Sequence, residues 1–502
     1  MERKSAGEEG APLPGAPYRV LSCIDGHIDR WMGLKSADYG VKSDLQKRAS
    51  SAFQRHQSLA AMRKEVGLER RQAVATLDGN VLLRAVPMAV HSDAEYVHIL
   101  VGNVRSALEA ARTVVVVFDE PENMSVAKRE EQARRDAAGQ KAKVVSSFDF
   151  CSVPKDDSYT LYDIQTCKDA HALMDERGAR ARFIDHVCVQ ACKTISALLQ
   201  RWTDAGHDAG AVLFDGVDQR GAERPFAAAR VPGALLCQGG SVPNAAALLA
   251  RDCPVGEGDL KIMAVERQLA RLCCQEGEES CFRDVKIYIA CTIDTDSFAI
   301  EILEEARRRS EGSEAAFCTV LCMRERPSKP RQDRLDAPFA GQAHYLCADV
   351  AMLTDWVANT VAPQSPACAR SAVALAVAGW AVAGCDFVSL KGARASVNLD
   401  AAAKMVRRNP EALRRMEAAW SGEKGATLDM QAVVHSLLRE AGSLLEQNKR
   451  LKKSAASVAC PPSDVLRRTA WTVAYWCGCE FKTGLDADFG FSPAVPECSA
   501  DF

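Results

Sequence analysis

Acidic side chains that close apolar segments are the residues of this sequence best suited to chemistry. Ala73-Val-Ala-Thr-Leu ends in Asp78, and Val114-Val-Val-Val-Phe ends in Asp119. The apolar segment from Val285 runs into Asp294, with Asp296 two residues on. Carboxylates so placed can turn toward one hard cation. The same pattern also fits loops whose acids cap the following helix. Gly256-Glu257-Gly-Asp259-Leu-Lys-Ile-Met adds two acids where a helix opens, and there they can serve the helix dipole instead. Gly384-Cys385-Asp386-Phe387 sets a further acid between an apolar helix and a Gly-containing turn, as ligand or as cap.

The segment after Asp119 carries a second kind of group. Lys128 and Arg135 stand seven residues apart, two helical turns, and share one face of a charge-dense stretch reaching Lys143. Cations beside a phosphodiester would neutralise charge developing on it. A solvated charged helix is the bland alternative. His27, His91 and His186 are isolated, and no Ser/His/Asp arrangement is legible.

Positioning these acids requires strands that stop together. Solid apolar blocks at 73–77, 114–118, 211–214 and 285–290 alternate with helical patterns, among them 184–202 and the stretch after Gly256. That alternation predicts an α/β fold, with a parallel central sheet flanked by helices and a mostly helical region from 348 onward. Parallel sheets bind ligands beyond the carboxyl ends of their strands, where Asp78, Asp119 and Asp294 would meet. The expected organisation is an N-terminal extension over 1–70, partly disordered, and core segments over 71–144 and 251–400. An insertion over 145–250 separates the two, and helices fill 401–502. Asp215, which also closes an apolar block, falls in the insertion and reads as a turn acid.

Composition excludes little. The 502 residues are 47% hydrophobic, enough for a sizeable core, and the formal net charge of −3 does not advertise a nucleic-acid partner. None of the 20 cysteines forms a C-x-x-C pair, so reduced, buried thiols are expected. The apolar run Ala372 to Gly384 reads as too short for a bilayer, and the opening residues lack a signal peptide. The expectation is a soluble intracellular protein of nucleus or cytoplasm, without membrane contact.

Taken in order, these motifs resemble the flap-endonuclease and XPG superfamily of 5′ nucleases, which includes the 5′→3′ exoribonucleases. The matching pieces are the strand ending in Asp78, and Phe118-Asp119 with Lys128 and Arg135. Gly-Glu257-Gly-Asp259, Asp294-Thr-Asp296 and Gly-Cys-Asp386-Phe complete the series. The last, with Leu390-Lys-Gly-Ala, is similar to divergent flap-endonuclease-like proteins of large DNA viruses. The resemblance spans about residues 70 to 400. Cys-Ile-Asp25-Gly is a rival for the first motif, but Asp119 follows Asp78 by 41 residues and Asp25 by 94, and the shorter spacing is nearer the family's. The duplex-gripping element is poorly kept in Gly392-Ala-Arg-Ala, and Leu485 to Phe489 is only faintly similar to a sliding-clamp peptide.

The resemblance implies a PIN-like core and a structure-specific 5′ nuclease acting on flaps or nicks in replication, repair or recombination. Two Mg²⁺ ions, for which Mn²⁺ can substitute, would lower the pKa of a water and stabilise the pentacoordinate phosphate. Asp119, Glu257, Asp259 and Asp294 would hold one ion, Asp78, Asp296 and Asp386 the other, and Lys128 and Arg135 would orient the phosphate. The partner is then branched or 5′-ended DNA, or RNA. Two alternatives remain: a 5′→3′ exoribonuclease-like enzyme and an inactive nuclease-like scaffold. A haloacid-dehalogenase-type phosphatase with Asp294 as nucleophile would leave the other acid motifs unexplained.

Overall fold

A computed structural model describes residues 41–84, 93–120, 177–208, 210–217, 228–231, 234–239, 245–250, 256–274, 282–292, 296–311, 317–325, 344–385, 387–420 and 429–476. The chain runs α1 (Val41–Arg48), β1 (Phe53–His56), α2 (Leu59–Glu65), β2 (Ala73–Asp78), α3 (Gly79–Arg84), α4 (Asp93–Ala110) and β3 (Thr113–Val117). Next come α5 (Arg177–Asp204), β4 (Gly210–Asp215), β5 (Ala228–Val231), β6 (Ala234–Gly239), α6 (Gly258–Cys274), β7 (Ile287–Cys291) and α7 (Asp296–Ser310). After β8 (Cys318–Glu325) and β9 (His344–Asp349) the described elements are helical: α8 (Val350–Val361), α9 (Ala369–Ala383), α10 (Ala395–Arg408), α11 (Pro410–Trp420), α12 (Met430–Gln447), α13 (Ala455–Ala459) and α14 (Ser463–Trp476).

All nine described strands join one sheet in the order β1-β9-β8-β7-β2-β3-β4-β6-β5. Its centre, β8-β7-β2-β3-β4, is parallel. β6 and β5 on one flank and β9 and β1 on the other run antiparallel, so the sheet is mixed and not parallel throughout. β6 returns along β4 and β5 along β6, with only two residues between β5 and β6, a link that allows only a hairpin. The extension expected over 1–70 supplies α1, β1 and α2. The insertion expected over 145–250 supplies β4, a member of the parallel centre, so it is not an appendage. β9, whose last two residues overlap the region read as mostly helical from 348, begins at His344 and pairs with both β8 and β1.

Strand residues alternate between two cores, as a period of two requires. Ala75, Val114, Val116 and Phe214 pack with α2, α3, α4 and α5, whereas Val74, Val115, Leu213 and Tyr288 pack with α6, α7 and the C-terminal helices. The result is a three-layer α/β arrangement. β3, a run of Thr and four Val, is fully buried, consistent with β-branched residues in a covered parallel strand.

α9 is the hub of the helical region. Pro366–Ala383 is 18 residues of mean hydropathy 1.4, longer than the apolar run suggested. It passes a length-and-composition test for a membrane span, but 72% of it is buried inside this fold. Gly379 lets α10 approach: a Cβ there would lie 2.9 Å from that of Asn398, whose Nδ2 donates to the Gly379 carbonyl at 2.6 Å. None of the described cysteines forms a disulfide, and burial pushes the Cys188, Cys192, Cys318 and Cys322 thiols well up.

Candidate acidic site at the carboxyl edge of the sheet

Register aligns the strand ends. Asp78 pairs with Val117, Val117 with Asp215, and Leu77 with Cys291, so β2, β3, β4 and β7 stop along one line. Strand order reverses direction at β2, with β3 and β4 to one side and β7 and β8 to the other. Such switch points open a crevice at the carboxyl ends, where open α/β sheets bind ligands. By alternation, Asp78, Asp119 and Asp215 leave the sheet on the side of α6, opposite Leu77, Phe118 and Phe214.

The first turn of α6 crosses above them. The Gly258 amide donates to Asp119 Oδ1 at 2.9 Å, and Glu120 N donates to the Gly256 carbonyl at 2.7 Å. A Cβ on Gly258 would lie 3.5 Å from Asp119 Oδ1, 3.6 Å from Asp78 Oδ1 and 3.8 Å from Asn80 Nδ2. Two carboxylates and one carboxamide therefore surround a single point. Asp78 is buried and also caps α3, accepting from Val81 N at 3.1 Å. Asn80 is 7% exposed, and its Nδ2 has no hydrogen-bond partner among the described residues.

Glu257, buried, precedes Gly258. Asp259 turns toward the β7 side, where Ser297 Oγ donates to its Oδ1 at 2.6 Å; Ser297 Oγ also lies 3.5 Å from Thr292 Oγ1. Asp296 opens α7 beside Ser297. The structure thus brings Asp78 and Asp119 together at Gly258 and Asp259 next to the start of α7. Asp294, Asp386, Lys128 and Arg135 lie outside the described residues, as does Asp25. Among the described residues no group of three or more His, Cys, Asp or Glu side chains could hold a metal ion.

Asp215 is no turn acid. It is the buried last residue of β4, 3.7 Å from the ammonium of Lys261, which also pairs with Glu120. Lys261 is fully buried, one turn into α6, and its two ion pairs lock the loop after Asp119 to the end of β4. A buried lysine is tolerated only with such partners. Gly216, at φ 81, keeps that space clear, because a Cβ there would sit 2.6 Å from Lys261 Nζ. Sequence reading missed Asn80, Lys261 and Ser297. The one signal for Lys261 was a lone cation among Leu260, Ile262 and Met263.

Behind the site, α6 and α7 are joined by charge. Arg267 and Arg307 hold Glu304 at 2.7 and 2.6 Å, and Arg308 reaches Glu266 at 2.9 Å. Burial alone would raise the Glu304 carboxyl, but the two guanidiniums overcome it and hold it at about 2. Burial, reinforced by Glu266, pushes the Glu301 carboxyl well above its usual range. Tyr288 OH donates to the Ile262 carbonyl at 2.7 Å and lies 2.9 Å from Thr76 Oγ1, tying α6 to β2 and β7. A misplaced α6 would carry Glu257, Gly258 and Asp259 away from Asp78 and Asp119.

Oxygen donors without sulfur or imidazole suit Mg²⁺ or Mn²⁺ rather than zinc or copper. Asp78, Asp119, Glu257 and Asp259 crowd one edge, and Lys261 on the β4 side is committed to Glu120 and Asp215. A bound cation would offset that concentration of like charge. No protein-family model matches the chain, and no curated protein matches its sequence.

Proposed function

We propose that the chain is a metal-dependent phosphodiesterase of the 5′ nuclease type, with a PIN-like core, acting on nucleic acid. One observation carries the reading: Asp78 Oδ1, Asp119 Oδ1 and Asn80 Nδ2 surround the same point above Gly258, at the carboxyl edge of a sheet whose strand order reverses there. The order of acid motifs along the chain, continuing through Asp294, Asp296 and Asp386, supports it.

Asp78, Asp119, Glu257 and Asp259 would hold Mg²⁺ or Mn²⁺, with Asp294, Asp296 and Asp386 completing the set. Such ions, when bound, supply Lewis acidity and a more acidic water. The protein's own contribution is placement. The Gly258 amide fixes the rotamer of Asp119, the Val81 amide fixes Asp78, and Ser297 fixes Asp259. Asn80 offers an N–H donor among acceptors, suited to a phosphate oxygen. Lys128 and Arg135 would neutralise the remaining phosphate charge. DNA flaps or nicks are the proposed substrates, in replication, repair or recombination, with 5′-ended RNA as the second class.

The test is cleavage of labelled 5′-flap, nicked and single-stranded DNA and RNA with Mg²⁺. Asp119→Ala and Asp294→Ala are each expected to abolish cleavage while leaving the fold intact by circular dichroism. Undiminished cleavage by both variants would sink the assignment. If the wild type neither cleaves nor binds Mn²⁺ by calorimetry, the inactive nuclease-like scaffold becomes the better reading.

A further inference from the structure

Cys291 of β7, Cys322 of β8 and Cys347 of β9 stand at matching register positions, so three thiols form one row across three neighbouring strands. They lie on the side of the sheet covered by α2, where Met62 Sδ is 3.8 Å from Cys322 Sγ. Cys322 and Cys347 are buried, whereas Cys291 is half-buried, so the row has a sealed end and an open one. Cys322 Sγ lies 3.3 Å from Cys347 Sγ and is hydrogen-bonded to the Cys291 side chain as well. The Cys322 carbonyl accepts from the Thr292 amide at 3.2 Å, so its peptide groups point to β7 and away from β9. Cys322 and Cys347 are therefore a non-hydrogen-bonded antiparallel pair, in which Cα atoms approach to about 4.5 Å. That separation falls within the range of about 4.4–6.8 Å that a disulfide spans. Cys291 and Cys322, on parallel neighbours with a spacing of about 4.8 Å, fall within it too.

Cys291 and Cys322 also line a narrow cleft at the carboxyl ends of β2 and β7, with about 30 Å³ of free space. A site for one water takes about 10–15 Å³, so the cleft admits hydrogen peroxide and little that is larger. Arg324 belongs to the same wall. A partly exposed thiol in a cationic setting is the kind that reacts, and a sealed thiol is inert. We propose that this row is an oxidation site for small peroxides, with Cys291 as the entry thiol and a Cys322–Cys347 disulfide as the product. The Cys291 sulfur attacks a peroxide oxygen; an S–O bond forms, the O–O bond breaks, and water leaves with the thiol's proton. The Cys322 sulfur then attacks that of Cys291. An S–S bond forms, the S–O bond breaks, and the Cys322 proton leaves with the hydroxide as a second water. Cys347 finally attacks Cys322 and displaces Cys291, which takes up the Cys347 proton. Such an exchange needs three sulfurs in line with the attacked one in the middle, which is the order of the row. Two thiols and one hydrogen peroxide thus give one disulfide and two waters. The reaction is independent of any cation at Asp78.

The experiment is oxidation of the full chain by hydrogen peroxide with a chelator present, quenched at intervals by thiol blocking and read by peptide mapping. Fragment ions separate Cys322 and Cys347 from Cys318 and Cys368, with which they share tryptic peptides. The wild type is expected to form a Cys322–Cys347 link that dithiothreitol reverses, preceded by a Cys291–Cys322 link that rises and then decays. Cys291→Ser should slow the final link about tenfold or more, because the remaining thiols of the row are sealed. Cys347→Ser should stop at the Cys291–Cys322 link. Circular dichroism identifies a variant that does not fold, and the wild-type time course then decides alone. A wild type that forms no Cys322–Cys347 link, or forms it with no transient link before it, overturns the proposal. An undiminished rate in folded Cys291→Ser overturns it too.

Discussion

Gly258→Ala sets the stability of the apo protein against its affinity for a cation. The glycine is the first residue of α6, and its φ lies outside the left-handed region, so alanine adopts the same backbone without strain. The new methyl would rest 3.5 Å from Asp119 Oδ1, 3.6 Å from Asp78 Oδ1 and 3.8 Å from Asn80 Nδ2, ordinary van der Waals contacts. Replacing Gly by Ala where the conformation is compatible stabilises by about 0.4–1 kcal/mol, chiefly through the unfolded chain. Some of that gain is offset as the methyl displaces water from two carboxylates. The amide bond to Asp119 is retained, since only the side chain changes. The metal-free variant should therefore match or slightly exceed the wild type in stability.

The cation should behave oppositely. Mg²⁺ and its waters or phosphate oxygens sit about 2.0–2.1 Å apart in a near-ideal octahedron. An ion bound to both Asp78 and Asp119 would have the methyl inside the shell its other ligands need. At an Mn²⁺ concentration of about 100 Kd the wild type gains about 2.7 kcal/mol, and a tenfold loss of affinity cuts that to about 1.4 kcal/mol. The assay is urea denaturation of both proteins with chelator and with Mn²⁺. A metal-free variant weaker by more than about 1 kcal/mol would show that the space is not open. An undiminished gain from Mn²⁺ would show that no ion uses this point, and either result refutes the reasoning.

Asn80→Ala removes a donor with no partner among the described residues, so stability should change by less than about 1 kcal/mol. Cleavage should fall about ten- to hundredfold, the equivalent of one hydrogen bond to a charged group, and steady-state kinetics decides. Lys261→Met removes the cation 3.7 Å from the buried Asp215 and should cost about 3–5 kcal/mol in denaturant melts. Lys261→Met with Asp215→Asn should recover part of that, whereas an unaltered midpoint in the single variant would disprove the clamp. Burial pushes Asp349 up to about 6, with Glu305 adding to the effect against the Met352 amide that the carboxylate accepts at 2.9 Å. The folded state then holds its proton more tightly than the unfolded chain. This group's contribution is present below the unfolded value near 3.9 and is lost as pH rises through about 6. Asp349→Asn keeps the helix cap and should raise stability above pH 6 by about 2–3 kcal/mol, with no gain near pH 4, as urea midpoints at the two pH values will read.

What the sequence revealed and what it hid divides along physical lines. β3, β4 and β7 were legible because strands buried on both faces are unbroken apolar runs, and the acids that close β2, β3 and β4 stand out against them. β1, Phe-Gln-Arg-His, was missed because an edge strand needs only one covered face and shows little pattern. β9 was not singled out: it is only six residues long, and its last two, Ala348 and Asp349, run into α8 without a break. The convergence of Asp78 and Asp119 followed from parallel strands alone. The pairing of Asp215 with Lys261 did not, because it depends on α6 crossing β4, a tertiary placement that local pattern does not encode. The α6–α7 charge network was hidden for the same reason: Glu304 and Arg308 are buried only because α6 packs against α7.

The pairing of β2 with β7 has a consequence for how the chain matures. Tyr288 and Thr76, hydroxyl to hydroxyl, stand 212 residues apart in sequence. A chain emerging from the ribosome completes β2, β3 and β4 well before β7 exists. Until then β2 presents an unpaired edge of Ala, Val, Ala, Thr and Leu, the kind of surface that pairs with other chains. Contacts so distant in sequence are slow to form because loop closure must precede them. The crevice beside Asp78 therefore appears only when the late strands dock. The acidic edge at Asp78 and the start of α7 would be brought together only at the end of folding, and slow docking of β7 would be the step most exposed to aggregation.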